Sequence, residues 1–184
     1  MFSFRSTPKP SGITCSRCAE ALPLPPAYPP NDVKCTACGW SHWYPQRIYS
    51  DLPFLLPQAE ISDLRGTTDE QVIDELLRSL VSASAIAEEN RTQAQADLMR
   101  RERLSSTGIG HGVAVPHLRV PYVNQETGLV ARSIQGVDYN SQDGAPVHVF
   151  VLLFTHHSDH VAHLHGLEKI TRHLRKALAL SVGQ

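Results

Sequence analysis

The sequence has almost no net charge. Its 17 lysines and arginines stand against 18 aspartates and glutamates, leaving −1 with histidine neutral. The isoelectric point is near 6.8. A chain without a bulk basic field is a poor candidate for nucleic-acid binding. It also lacks any run of about 18 apolar residues, so no membrane span is expected. The opening residues, Met1 to Pro10, have no apolar core of the secretory kind. Cysteine is scarce: there are 4, and all lie in the first 50 residues. They form two close pairs, which suits a reducing compartment and metal binding better than a disulfide framework. The cytoplasm is the expected location. No internal repeat is visible. Nucleotide-binding loops are missing too: the one glycine-rich stretch reads Gly-x-Gly-x-Gly, and no Gly-Lys-Ser/Thr follows it.

What is present begins with size. The 184 residues, 41% of them apolar, allow one ordinary domain and a small module. Composition changes near residue 50, which suggests a division into residues 1–50 and 51–184. The first part holds all the cysteines, both tryptophans and many prolines. Pro23, Pro25, Pro26, Pro29 and Pro30 exclude a helix or central strand there, so Leu22 to Pro30 reads as an extended loop. Further on, Thr67 or Thr68 is placed to cap a helix carrying Asp69 and Glu70 in its first turn. Val72, Ile73, Leu76, Leu77 and Leu80 follow at helical spacing. A more polar helix is expected from about Glu88 to Arg103. Leu129 to Ile134 reads as a strand. Val147 to Phe154 is nearly continuous apolar sequence, as in a strand buried on both faces. A last helix starts near Ser158 or Asp159 and carries Leu164, Leu167, Ile170 and Leu174. Helices, then strands, then a helix indicate an α/β layer structure.

The cysteines read as two Cys-x2-Cys knuckles, Cys15 with Cys18 and Cys35 with Cys38. Two knuckles at this separation supply four thiolates for a tetrahedral Zn²⁺. Gly39 gives the second knuckle room to turn. A module this small needs the metal to fold. Four protein ligands leave no open position for water, so the zinc is expected to be structural; iron would also accept four thiolates. Trp40, His42, Trp43 and Tyr44 follow the last ligand and are read mainly as packing residues. The ribbon's cations, Arg5, Lys9, Arg17, Lys34 and Arg47, are dilute.

The most informative stretch is Ser105 to His117: Ser-Ser-Thr-Gly-Ile-Gly-His-Gly-Val-Ala-Val-Pro-His. Gly108, Gly110 and Gly112 permit positive φ, and amides in such a loop can form an anion-binding concavity. Val113 to Val115 read as a short buried strand. Pro116 suits its end. His117 is then the first functional group beyond a rigid element. A histidine facing an anion cradle indicates phosphoryl chemistry, because neutral imidazole is a good nucleophile near pH 7.

The stretch from Arg101 to His117 closely resembles the active-site region of the fructose/mannitol-type enzyme IIA domains of the bacterial phosphotransferase system. Their nitrogen-regulatory relatives share the pattern. A looser resemblance runs from about Leu52 to the C-terminus. It implies a mixed β-sheet flanked by helices, of the enzyme IIA type 2 kind, following the small N-terminal zinc ribbon read from the cysteine spacing. It implies that His117 accepts a phosphoryl group from a histidine phosphocarrier protein, making the chain a phosphotransferase component. It matches His163 to the family's second active-site histidine and Arg101 to its active-site arginine. Ser106, Thr107, Gly108 and Gly110 would then bind phosphate oxygens. The ribbon is foreign to the family, and the chain stops about one helix earlier than the resemblance suggests.

Other histidines carry weaker expectations. His156, His157 and His160, with His163, are spaced for metal capture, but loops before helices collect polar residues and that reading is preferred. His165 is expected to face solvent. His111 fills the variable position of the glycine loop. The alternative function is a non-catalytic zinc-ribbon regulatory or binding protein that keeps the enzyme IIA fold. For either, a regulated protein partner would be met through the ribbon. A zinc-ribbon nucleic-acid binder is a third reading.

Overall fold

The computed structural model describes residues 33–34, 36–37, 41–42, 46–61 and 63–182. The cysteine ligands, Trp40, Trp43, Tyr44 and the proline-rich Leu22 to Pro30 lie outside these residues. Strands β1 (Val33–Lys34) and β2 (Ser41–His42) pair antiparallel, Val33 opposite His42. The remaining elements are α1 (Gln46–Asp51), a 3-10 turn at Pro57–Ala59, α2 (Asp69–Ser82), α3 (Glu88–Leu104), β3 (Gly108–Gly110), β4 (Val113–Ala114), β5 (His117–Val120), β6 (Thr127–Val137), β7 (Val147–His156) and α4 (His160–Val182).

The larger sheet is built around β7. On one edge β6 pairs with it antiparallel, from Thr127 opposite Phe154 to Arg132 opposite Val149. On the other edge run β4 and β5, both parallel to β7. Their registers agree: Val113 faces Val149 and His117 faces Leu153, so the two segments are one strand interrupted at Val115 and Pro116. Pro116 has no N–H to give, yet its carbonyl accepts from Leu153 N at 3.0 Å and keeps the register. The mixed sheet flanked by helices agrees with the expected fold class.

β7 shows why the apolar run has no alternation. Phe150, Leu152 and Phe154 pack with α2 residues Val72, Ile73, Leu76, Leu77 and Leu80 and with Leu98 of α3. Val149, Val151 and Leu153 pack on the opposite face with Ile170 and Leu174 of α4 and Ile48 of α1. Each such side chain contributes ~1.5–3 kcal/mol on burial. The central position of β7 also demands a close neighbour. A Cβ on Gly128 of β6 would lie 2.1 Å from the Leu152 carbonyl oxygen.

Two expectations differ from what is seen. The first part of the glycine loop is a strand, with β3 antiparallel to β4. The turn between them uses positive φ at Gly110 (88°), His111 (54°) and Gly112 (74°). Leu164 of the last helix is 65% exposed instead of entering the core.

Candidate active site

Side chains alternate along a strand. Down the α4 face run Val113 and Val115, then His117 and Arg119. On β7 the same face carries Val149, Val151 and Leu153, then Thr155. The apolar core therefore gives way to polar groups at the C-terminal ends of parallel strands. There α4 begins, with Ala162 N donating to the Asp159 carboxylate at 2.8 Å. This cap fixes the first turn, which carries His160 and His163.

His117 is half-buried and held at two points. Its Nδ1 lies 2.8 Å from the Val115 carbonyl, which can only accept, so Nδ1 carries the proton. Nε2 then holds the lone pair. Arg101 Nη2 stands 3.4 Å from it, while Arg101 Nη1 donates to Ser105 O at 2.7 Å. The His163 ring is tilted by 53° at 5.4 Å between centroids. Thr155 Oγ1 sits 2.8 Å from His163 Nδ1, which leaves Nε2 as that ring's remaining polar atom. Thus Arg101, His117 and His163 converge on one pocket of about 520 Å³, shared with Arg119, His157 and His160. No carboxylate lines it among the described residues.

The electrostatics keep both imidazoles neutral at pH 7. Burial pushes His117 below the usual histidine value; Arg101 adds to this, while the Val115 carbonyl and Glu102 oppose it. His163 is brought down to about 4 by burial, then by His117 and the cations around it. A neutral His117 with Nδ1 engaged presents a nucleophilic Nε2 to an incoming electrophile.

The four residues expected to bind phosphate are not placed for it. Thr107 N and Oγ1 both donate to the Glu102 carboxylate at 2.6 Å. Ser106 Oγ donates to Tyr139 O at 2.8 Å and accepts from Gly108 N at 3.0 Å. Gly110 N donates to Ser141 Oγ at 3.1 Å. None of the four lines the pocket. The glycine stretch is a brace instead: Glu102 ties the end of α3, with Arg101, to the strand leading to His117. His111 stays on the turn, its N donating to Asp143 at 2.7 Å. The histidines at 156, 157, 160 and 163 do not gather as a metal site. Among the described residues no three metal-binding side chains converge, and His156 bonds Ser158 instead, at 2.7 Å. His165 is exposed, as expected.

Sequence reasoning overlooked Glu102, Thr155 and Arg119. For Arg119 a signal existed: two positions past His117 in an extended segment is the same face. Glu102 stood within the Arg-Glu pair of the resembling stretch, without a role assigned to it; Thr155 had no signal beyond its place next to a predicted strand.

This arrangement has known counterparts. The family described as Phosphoenolpyruvate-dependent sugar phosphotransferase system, EIIA 2, matches residues 56–179, and the chain belongs to that family. The "Nitrogen regulatory protein" of Bradyrhizobium diazoefficiens is 33% identical over 119 residues, which are 65% of this chain and 76% of that one. A "PTS system fructose-specific EIIABC component" of Bacillus subtilis is 34% identical over 110 residues, 59% of this chain but 17% of that longer protein. Among solved structures, nitrogen regulatory protein IIA-Ntr from Neisseria meningitidis superposes with a TM-score of 0.60 at 28% identity, covering 67% of this chain and 82% of that one. IIA mannitol from Escherichia coli shares the fold, with a TM-score of 0.53 at 18% identity over 64% of this chain and 81% of that one. The family is one of phosphotransferase components, and no helix among the described residues is long and apolar enough to cross a membrane.

Proposed function

We propose that the chain accepts a phosphoryl group on Nε2 of His117 from a histidine phosphocarrier protein and acts in a cytoplasmic regulatory relay. The observation that carries this reading is the Val115 carbonyl on Nδ1, which leaves the Nε2 lone pair directed toward Arg101. In the transfer, that lone pair forms a new N–P bond as the N–P bond of the carrier's phosphohistidine breaks. The carrier imidazole leaves with the bonding pair. Positive charge develops on the His117 ring, and the Val115 carbonyl stabilises it through Nδ1–H. Arg101 offers a permanent cation to the equatorial oxygens of the transferring group. His163 offers a hydrogen bond held in place by Thr155. Similarity to proteins named as nitrogen regulatory supports regulation as the output. Incubation with phosphoenolpyruvate, the first enzyme of the system and a phosphorylated carrier tests the reading. Acid-labile label on the chain is expected; its absence would favour a binding protein that keeps only the fold.

The N-terminal residues 1–50 are proposed to form a zinc ribbon ahead of the enzyme IIA-type domain of 51–184. Cys15, Cys18, Cys35 and Cys38 would hold one structural Zn²⁺, and the ribbon would contact a regulated protein. The spacing supports this, as does the pairing of β1 with β2, which flank Cys35 and Cys38 in sequence. Metal analysis of protein purified without chelator should find about one zinc per chain. Four freely titratable thiols and no metal would overturn it.

A further inference from the structure

Arg119, like Arg101, differs from the arginines on the outer helices and loops. Arg65, Arg78, Arg91, Arg100 and Arg172 each pair with a carboxylate. Arg119 instead rests against an imidazole, its Nη1 2.5 Å from His160 Nδ1 and 2.9 Å from Nε2. An imidazole carries no negative charge to pair with a guanidinium. The strand period puts Arg119 on the same face as His117, two residues further along β5. Both line the pocket, with Arg101 entering from α3 and His160 and His163 from α4. The pocket thus holds two guanidinium groups on different elements, and among the described residues no carboxylate lines it to satisfy either.

We infer that Arg119 is a second phosphoryl-binding residue, parked on His160 in the free protein and drawn onto the phosphoryl oxygens once His117 is modified. This rests on the reading of His117 given above. A phosphoryl group on Nε2 presents three anionic oxygens. Arg101 and His163 can meet two of them, and the fork of Arg119 meets the third. The exchange replaces a contact with a ring that carries no negative charge by a charge-assisted bond to an anion, which is stronger and shorter. It acts on the phosphorylated product, so its signature is the position of the exchange equilibrium with the carrier. A structural tie between β5 and α4 would leave that equilibrium alone, or move it the same way whichever of the two partners is removed.

The test uses the full chain equilibrated with a phosphorylated histidine carrier, with label on each protein quantified. Arg119→Gln should shift the equilibrium toward the carrier by about ten-fold or more. Its thermal midpoint and helix content should stay near those of the unaltered chain. Arg119→Lys should recover part of the shift, keeping charge without the fork. His160→Ala should move the equilibrium the other way, because the free-state partner is lost. If Arg119→Gln matches the unaltered chain, or shifts together with His160→Ala in the same direction, Arg119 is a brace and the inference fails. If the unaltered chain takes no label at all, the reading of His117 fails instead.

Discussion

Arg101 and His163 come from α3 and α4 and meet only at His117. Their roles differ in kind. Arginine keeps its charge at any working pH, while His163 stays neutral down to about pH 4 and donates or accepts through one free nitrogen. Loss of one oriented donor in such a site slows reactions by ~100-fold or more. Arg101→Ala and His163→Ala are therefore expected to cut the rate of phosphoryl transfer to that degree. Neither side chain fills the apolar core, so thermal midpoints should change little. Rapid-quench labelling beside a melting curve separates the two effects. The lowered His117 value gives a second expectation. Its lone pair remains available below the ordinary histidine value of about 6.5, so the acid limb of the rate profile should fall on the low side of that pH.

At the scale of elements, the site depends on how α3, β5 and α4 end or begin. Asp159 caps α4 through Ala162 N. Asp159→Ala should cost about 1 kcal/mol and slow transfer by loosening His163, while Asp159→Asn should keep the cap. Gly128→Ala should be far worse, ~3 kcal/mol or more, since its Cβ would meet a backbone oxygen that cannot swing away. Urea midpoints measure both. Sequence periodicity revealed the longer elements because one physical cause dominated each. The Thr68 cap and the spacing of Val72 to Leu80 mark α2, whose Gln71 N indeed donates to Thr68 Oγ1 at 3.3 Å. The apolar run of β7 marks a strand covered on both faces. The shorter elements were hidden. β5 carries His117 and Arg119 for chemistry, so its alternation is polar and apolar for the wrong reason. β3 looks like a loop because its glycines serve a turn and a close approach to Ser141. The same glycines made an anion cradle the natural reading. Only the three-dimensional pairing shows the Gly110 amide spent on Ser141, the Ser106 hydroxyl on Tyr139, and the Thr107 amide and hydroxyl on Glu102. His117, Arg101 and His163 were legible through a resemblance; Arg119 needed the strand register.

For the whole molecule, two neutral imidazoles make folding sensitive to acid. In the unfolded chain His117 and His163 take up protons as pH falls through about 6.5, whereas the folded chain resists this. Stability is full above that value and declines below it, with the His163 share lost by about pH 4. The melting temperature should drop between pH 7 and 5, and His163→Ala should flatten that slope. The central claim, that Nε2 of His117 takes the phosphoryl group, has one direct measurement. The full chain is labelled from a phosphorylated histidine carrier, and the acid-labile phosphate is mapped, alongside the variant His117→Ala. The account predicts a single label on His117 Nε2 and none on the variant, which should remain folded. Label persisting at the normal level on His117→Ala, or mapping to another residue, would contradict it.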